Sequence, residues 1–127
     1  MKLRVLDNSI RLRLTQSEVE TVSAEGLVRG RVRFAGSNTF DYILESSPAT
    51  VRPEAQISNN VLTGRVPKMD VAQWAHPDRI SNEAEQVLED RERLTSLVEK
   101  DFHGLTPRDG EDDSDMYPHP EAGSRTC

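Results

Sequence analysis

The sequence predicts an α+β fold: six or seven mostly antiparallel strands with two short helices, curled into an open barrel or sandwich. Three observations carry this. Apolar and charged residues alternate with period two along much of the first 60 residues, the signature of half-buried strands. Two short stretches carry helix-start signals instead, Thr15 to Glu18 and Pro67. And 127 residues, 35% of them apolar, hold about one small core.

The elements follow in order. Leu3 and Val5 alternate with Lys2 and Arg4; Ile10, Leu12 and Leu14 alternate with Ser9, Arg11 and Arg13. Asp7-Asn8-Ser9 between them is a turn cluster, which makes a hairpin. Thr15-Gln16-Ser17-Glu18 is a capping box, Val19 and Val22 share a helical face, and Gly26 supplies the C-terminal stop, so a helix is expected over about 16–25. Strand character returns with Val28, Gly30, Val32 and Phe34 on one face and Arg29, Arg31 and Arg33 on the other. A Gly36-Ser37-Asn38 loop leads to Phe40, Tyr42 and Leu44, alternating with Asp41, Ile43 and Glu45. Ala55 to Ser58 and Val61 to Thr63 flank Asn59-Asn60, a pair that tolerates the positive φ of a tight hairpin. Pro67 suits the first position of a helix whose apolar face is Val71, Trp74 and Ala75, and Pro77 ends it. The chain shows no internal repeat.

The stretch 81–101 reads two ways. Ala84, Val87, Leu88, Arg91, Leu94 and Val98 have helical spacing, with Ser81 or Asn82 to cap it; Leu94 to Val98 also reads as a core strand. The expected core is Leu3, Val5, Ile10, Leu12, Leu14, Val28, Val32, Phe34, Tyr42, Leu44, Ile57, Val71, Trp74 and Leu97.

Charge divides the chain. Residues 1–105 hold 14 basic and 16 acidic side chains and form the expected compact domain; residues 106–127 hold 2 and 6, contain three prolines and lack Leu, Ile, Val, Phe and Trp. Such a segment cannot offset its own ordering entropy, so it is expected to be a disordered or surface-pinned acidic tail. No stretch approaches the ~20 apolar residues of a membrane span, and the first residues lack a signal peptide's apolar run. One cysteine gives no internal disulfide and fits a cytoplasmic protein.

Two ends of the chain resemble an uncharacterised bacterial family of small proteins known only as a domain of unknown function. The opening, Leu3-Arg4-Val5 and Asn8-Ser9-Ile10-Arg11-Leu12-Arg13-Leu14-Thr15-Gln16-Ser17-Glu18-Val19, is similar to the family's start. Leu97-Val98-Glu99-Lys100-Asp101-Phe102 and the acidic run Glu111 to Pro120 are similar to its close. Gly104 stands where the family often has a cysteine, which removes a thiol site there. The resemblance implies a strand over about 94–101 after a variable loop, leaving 83–91 as loop or helical turn, and it implies no activity.

The candidate chemistry is sparse. Arg11, Arg13, Arg29, Arg31 and Arg33, with Lys2 and Arg4, face outward on three strands; as neighbours they would form one anion-binding patch. The bland alternative is that Asp41, Glu45 and other carboxylates interleave as cross-strand partners. Glu99, Asp101 and His103 share one face of the last strand and offer acid–base chemistry, against surface ion pairing as the default. The acidic tail fails the calcium-loop template: counting from Asp109, position 6 is Ser114 rather than Gly and position 12 is Pro120 rather than Glu. No zinc-ligand spacing, glycine-rich phosphate loop or nucleophile elbow is present, so neither a metal nor a cofactor is expected. Trp74 reads as a core anchor.

The leading expectation is a small non-enzymatic binding or adaptor module; the alternative is an enzyme or anion-binding domain using the arginine face with Glu99, Asp101 and His103. The expected partner is a protein or a small anionic ligand, with the acidic tail itself a candidate to dock on the arginines. A membrane is not expected, and nucleic acid is disfavoured by the net charge of -6 and the few aromatics.

Overall fold

The computed structural model of the chain describes residues 1–74, 76, 80–101 and 117. Among them are eight strands and two α-helices: β1 (Lys2–Leu6), β2 (Ser9–Leu14), α1 (Gln16–Glu25), β3 (Leu27–Arg33), β4 (Thr39–Ser47), β5 (Glu54–Ser58), β6 (Val61–Pro67), α2 (Lys68–Gln73), β7 (Ser81–Val87) and β8 (Arg93–Lys100). The strands form two four-stranded sheets, ordered β1-β2-β8-β7 and β3-β4-β6-β5. This is the α+β sandwich the alternation predicts. Four hairpin pairings are antiparallel, while the central pairs β2·β8 and β4·β6 are parallel. No described helix is long and apolar enough to cross a membrane.

The two sheets are related by a pseudo-twofold axis that the sequence does not announce. The chain consists of two β-β-α-β-β halves, and each half gives one hairpin to each sheet. Advancing residues of β1 and β2 by 52, and those of β3 and β4 by 54, carries one sheet onto the other. The register Arg13↔Glu99 becomes Arg65↔Glu45. Backbone bonds repeat in pairs: Ser46 N to Gly26 O (2.8 Å) with Lys100 N to Ile80 O (2.9 Å), Asp41 N to Asn60 O with Thr95 N to Asn8 O (both 3.1 Å), and Phe34 N to Asn38 O (2.8 Å) with Leu88 N to Glu92 O (2.7 Å). One left-handed residue in each turn also has a left-handed mate, Asp7 (φ 48) with Asn59 (φ 52) and Ser37 (φ 64) with Arg91 (φ 65), whereas Asn60 (φ 63) and Gly36 (φ 70) do not. The expectation of no internal repeat is therefore corrected at the level of structure. Side chains hide the repeat because facing positions are complementary in size rather than alike. Leu12 meets Gly64, its equivalent, across the axis: a Cβ on Gly64 would stand 3.3 Å from Leu12 Cδ1. Tyr42 lies over Gly30 where the other half pairs Ser96 with Ala84.

The axis runs along the strands. Both helices leave from the C-terminal ends of β2 and β6, so they cap one end of the sandwich, and all four hairpin turns lie at the other. The core concentrates at the helix end, where Leu14, Val22, Leu44 and Val66 are fully buried and Val71 and Trp74 nearly so. Helix α1 begins and ends as its signals predict, with Thr15 and Glu18 closing the capping box and Gly26 left-handed at φ 89. Pro67 is the N-cap of α2 rather than its first helical residue.

Several sequence expectations need correction. Val5, Ile57 and Phe34 are not core: they are 63%, 67% and 59% exposed, because alternation fixes a side chain's face but not how far along the strand the covering layer reaches. Val32 is exposed for the same reason. Leu97 belongs to the outer face, and its neighbours Ser96, Val98 and Lys100 are the buried ones. The stretch 83–91 is strand to Val87 and then the turn into β8, giving eight strands rather than six or seven.

Candidate functional site

The five arginines do not share a patch. Arg11 and Arg13 stand on the outer face of the first sheet, and Arg29, Arg31 and Arg33 on the outer face of the second. Each group meets a carboxylate on the neighbouring strand. In the first sheet Arg4 lies directly opposite Arg11, a repulsive register. Glu99 of β8 relieves the crowding: Arg13 Nε donates to its Oε1 at 2.6 Å and Arg11 Nε lies 3.5 Å away. Asp101 is buried and takes Lys2 at 3.2 Å. In the second sheet Arg31 grips Asp41 through two bonds, Nε to Oδ1 at 2.8 Å and Nη2 to Oδ2 at 3.0 Å, with Arg29 at 4.0 Å. The hydrogen bonds from Arg31 hold the Asp41 carboxyl below its usual range, against desolvation, with the charges of Arg31 and Arg29 adding to the same effect. Glu45 takes Arg65 at 3.7 Å, the dyad mate of the Arg13–Glu99 pair.

Glu99 lies on β8 and Asp101 directly after its end, each against its own basic partner, while His103 lies outside the described residues. Lys100 points the other way, into the sandwich, and there the structure shows a site the sequence reading missed. Its ammonium is buried, donates to the His76 carbonyl at 3.1 Å and lies 5.0 Å from the centre of the Tyr117 ring. Burial pushes its pKa down. Tyr117 belongs to the acidic segment; its amide bonds the Asp101 carbonyl at 2.7 Å, and its ring packs against the core. That point of attachment is at the end of β8. Nothing in a sequence connects two residues 17 positions apart across a charge-rich stretch. Next to it, Asn82 accepts from Trp74 Nε1 and donates to Asp70, both at 2.7 Å, which satisfies the indole of the buried anchor. Among the described residues no three His, Cys, Asp or Glu side chains cluster as a metal site would require; the acidic run itself lies outside them.

The other unusual surface is the hairpin end. Of eleven exposed large apolar residues among those described, seven gather there: Val5 and Leu6 at the end of β1, Val32 and Phe34 at the end of β3, Ile57 on β5, and Val87 and Leu88 at the end of β7. Several are dyad mates, Val5 with Ile57 and Phe34 with Leu88. Scattered exposed apolar residues are ordinary, but a concentration of them at one end is not.

The chain belongs to the DUF7009 family, a family of unknown function, which matches it over residues 1–121. The match thus runs beyond β8 and takes in Tyr117. No curated protein and no solved structure matches the chain.

Proposed function

We propose that this chain is a non-enzymatic binding module, cytoplasmic and bacterial, that engages a protein partner through the hairpin end of its sandwich. The observation that supports this best is the division of its surface. On the outer faces Arg13, Arg11, Arg31 and Arg29 are engaged by their own carboxylates, whereas at the hairpin end large apolar side chains are exposed. Burying such side chains is worth about 25 cal/mol per Å² of apolar surface, the larger part of what drives most protein associations. Exposed ion pairs contribute only ~0–1 kcal/mol each. The lone Cys127 supports a reducing compartment.

The test is capture from native lysate at low and high salt with three proteins: wild type, Phe34→Asp, and Arg11→Ser with Arg13→Ser. The expected partner survives high salt, is lost with Phe34→Asp and is kept by the arginine variant. A partner that elutes with salt and depends on Arg11 and Arg13 would overturn this reading in favour of the anion-binding alternative with Glu99, Asp101 and His103.

A further inference from the structure

The hairpin end carries charge as well as apolar surface, and the charge is divided between turns that the pseudo-twofold axis relates. The β3–β4 turn brings Arg33 beside Phe34. Its dyad mate, the β7–β8 turn, brings Glu89, Asp90 and Glu92 beside Leu88, with Arg91 as the single opposing charge. Neither Arg33 nor these three carboxylates has an ion-pair partner among the described residues. One side of the end is therefore basic and aromatic, and the other is acidic and aliphatic.

We propose that this end binds the same end of a second copy of the chain. The proposal rests on the binding-module reading and names its partner. A true dyad perpendicular both to the internal axis and to the line joining the two turns flips one copy over onto the other. It sets the Arg33–Phe34 turn of each copy against the Leu88–Glu92 turn of its partner, twice, by symmetry. Such an isologous contact closes at two copies and leaves no unsatisfied end. A foreign partner of one charge sign would match one turn and oppose the other, so the pattern is complementary to itself above all. The internal axis makes this possible, because it places two turns of equal length and opposite charge at equal distances from the centre. Val5 and Ile57, also dyad mates, become the buried middle of the contact, with the charged turns around it as the polar rim.

The experiment is sedimentation velocity of the full chain over a wide concentration range, for wild type, Arg33→Glu, and Glu89→Arg with Asp90→Arg. The substituted residues are exposed turn positions, and an unchanged circular dichroism spectrum and thermal midpoint confirm that each variant folds. Wild type is expected to dimerise. Each variant alone should dissociate at concentrations about tenfold higher or more than wild type, since each sets like charges together at both contacts. An equimolar mixture of the two variants should form a heterodimer of wild-type affinity, because their reversed turns are complementary again. Wild type that stays monomeric throughout would overturn the self-pairing; if Phe34→Asp still abolishes capture from lysate, the binding end stands and only its occupant is wrong. A dimer indifferent to both charge reversals, or one not restored by mixing, would likewise overturn the proposal.

Discussion

At the scale of single residues, two positions carry more of the structure than their chemistry suggests. Gly30 exists so that Tyr42 can lie across its strand: a Cβ there would stand 2.2 Å from the ring's Cζ. The Tyr42 hydroxyl donates to the Met1 carbonyl at 3.1 Å and its ring stacks on Phe40, so it cannot swing aside freely. Gly30→Ala should cost about 1–3 kcal/mol in urea unfolding, as overpacking does; an unchanged midpoint would show that the ring relocates. Asp41 carries the second prediction. Its folded carboxyl titrates below its unfolded value, so the stability it supplies is present above the ordinary aspartate range, about 3.9, and is lost as the pH falls through the folded value. Wild type should therefore exceed Asp41→Asn in stability at neutral pH, and the difference should shrink as acid protonates Asp41. A difference independent of pH would assign the loss to packing instead. Of these details the sequence showed the Arg–Asp interleaving as one of two readings. It could not show the tyrosine over the glycine, because that contact depends on the register of β3 with β4.

At the scale of elements, what was legible depended on whether local chemistry alone decided the conformation. Helix α1 was legible end to end: Thr15 accepts from the Glu18 amide at 3.4 Å, Glu18 returns a bond to the Thr15 amide at 3.0 Å, and Gly26 stops the helix. Thr15→Ala should cost about 0.5–2 kcal/mol, read from the urea midpoint, and no loss would mean that packing of Val19 and Val22 alone holds the helix. Strand β7 was not legible. Its inward residues are Asn82, Ala84 and Gln86, so period two is absent, and Val87 and Leu88 lend it helical spacing although they sit at the exposed end. Gln86 nonetheless has a structural task, accepting from the Ala55 amide at 2.6 Å across to β5. The family resemblance implies strand β8, but hydrophobicity does not give its phase, since Leu97 is the more hydrophobic residue and Val98 the buried one.

At the scale of the whole molecule, the two parallel pairings decide everything the sequence left open. β2·β8 and β4·β6 each join a strand of one half to a strand of the other, and they weave the two halves into each other so that neither sheet belongs to one half. The same weave sends both helices to one end and all hairpins to the other. A closed, well-packed end and an open, apolar end then follow without any special motif, which is why no motif in the sequence pointed to the site. The measurement that tests this account most directly is amide hydrogen exchange of the full chain at low and high protein concentration. Protection should rise with concentration at the hairpin end alone, over residues 4–8, 32–38, 57–60 and 87–92, and stay constant in α1, α2 and the outer-face arginine strands above that end. Protection that rises instead along β2 and β8 around Arg13 and Glu99, or nowhere, would contradict the claim that the hairpin end is where this molecule binds.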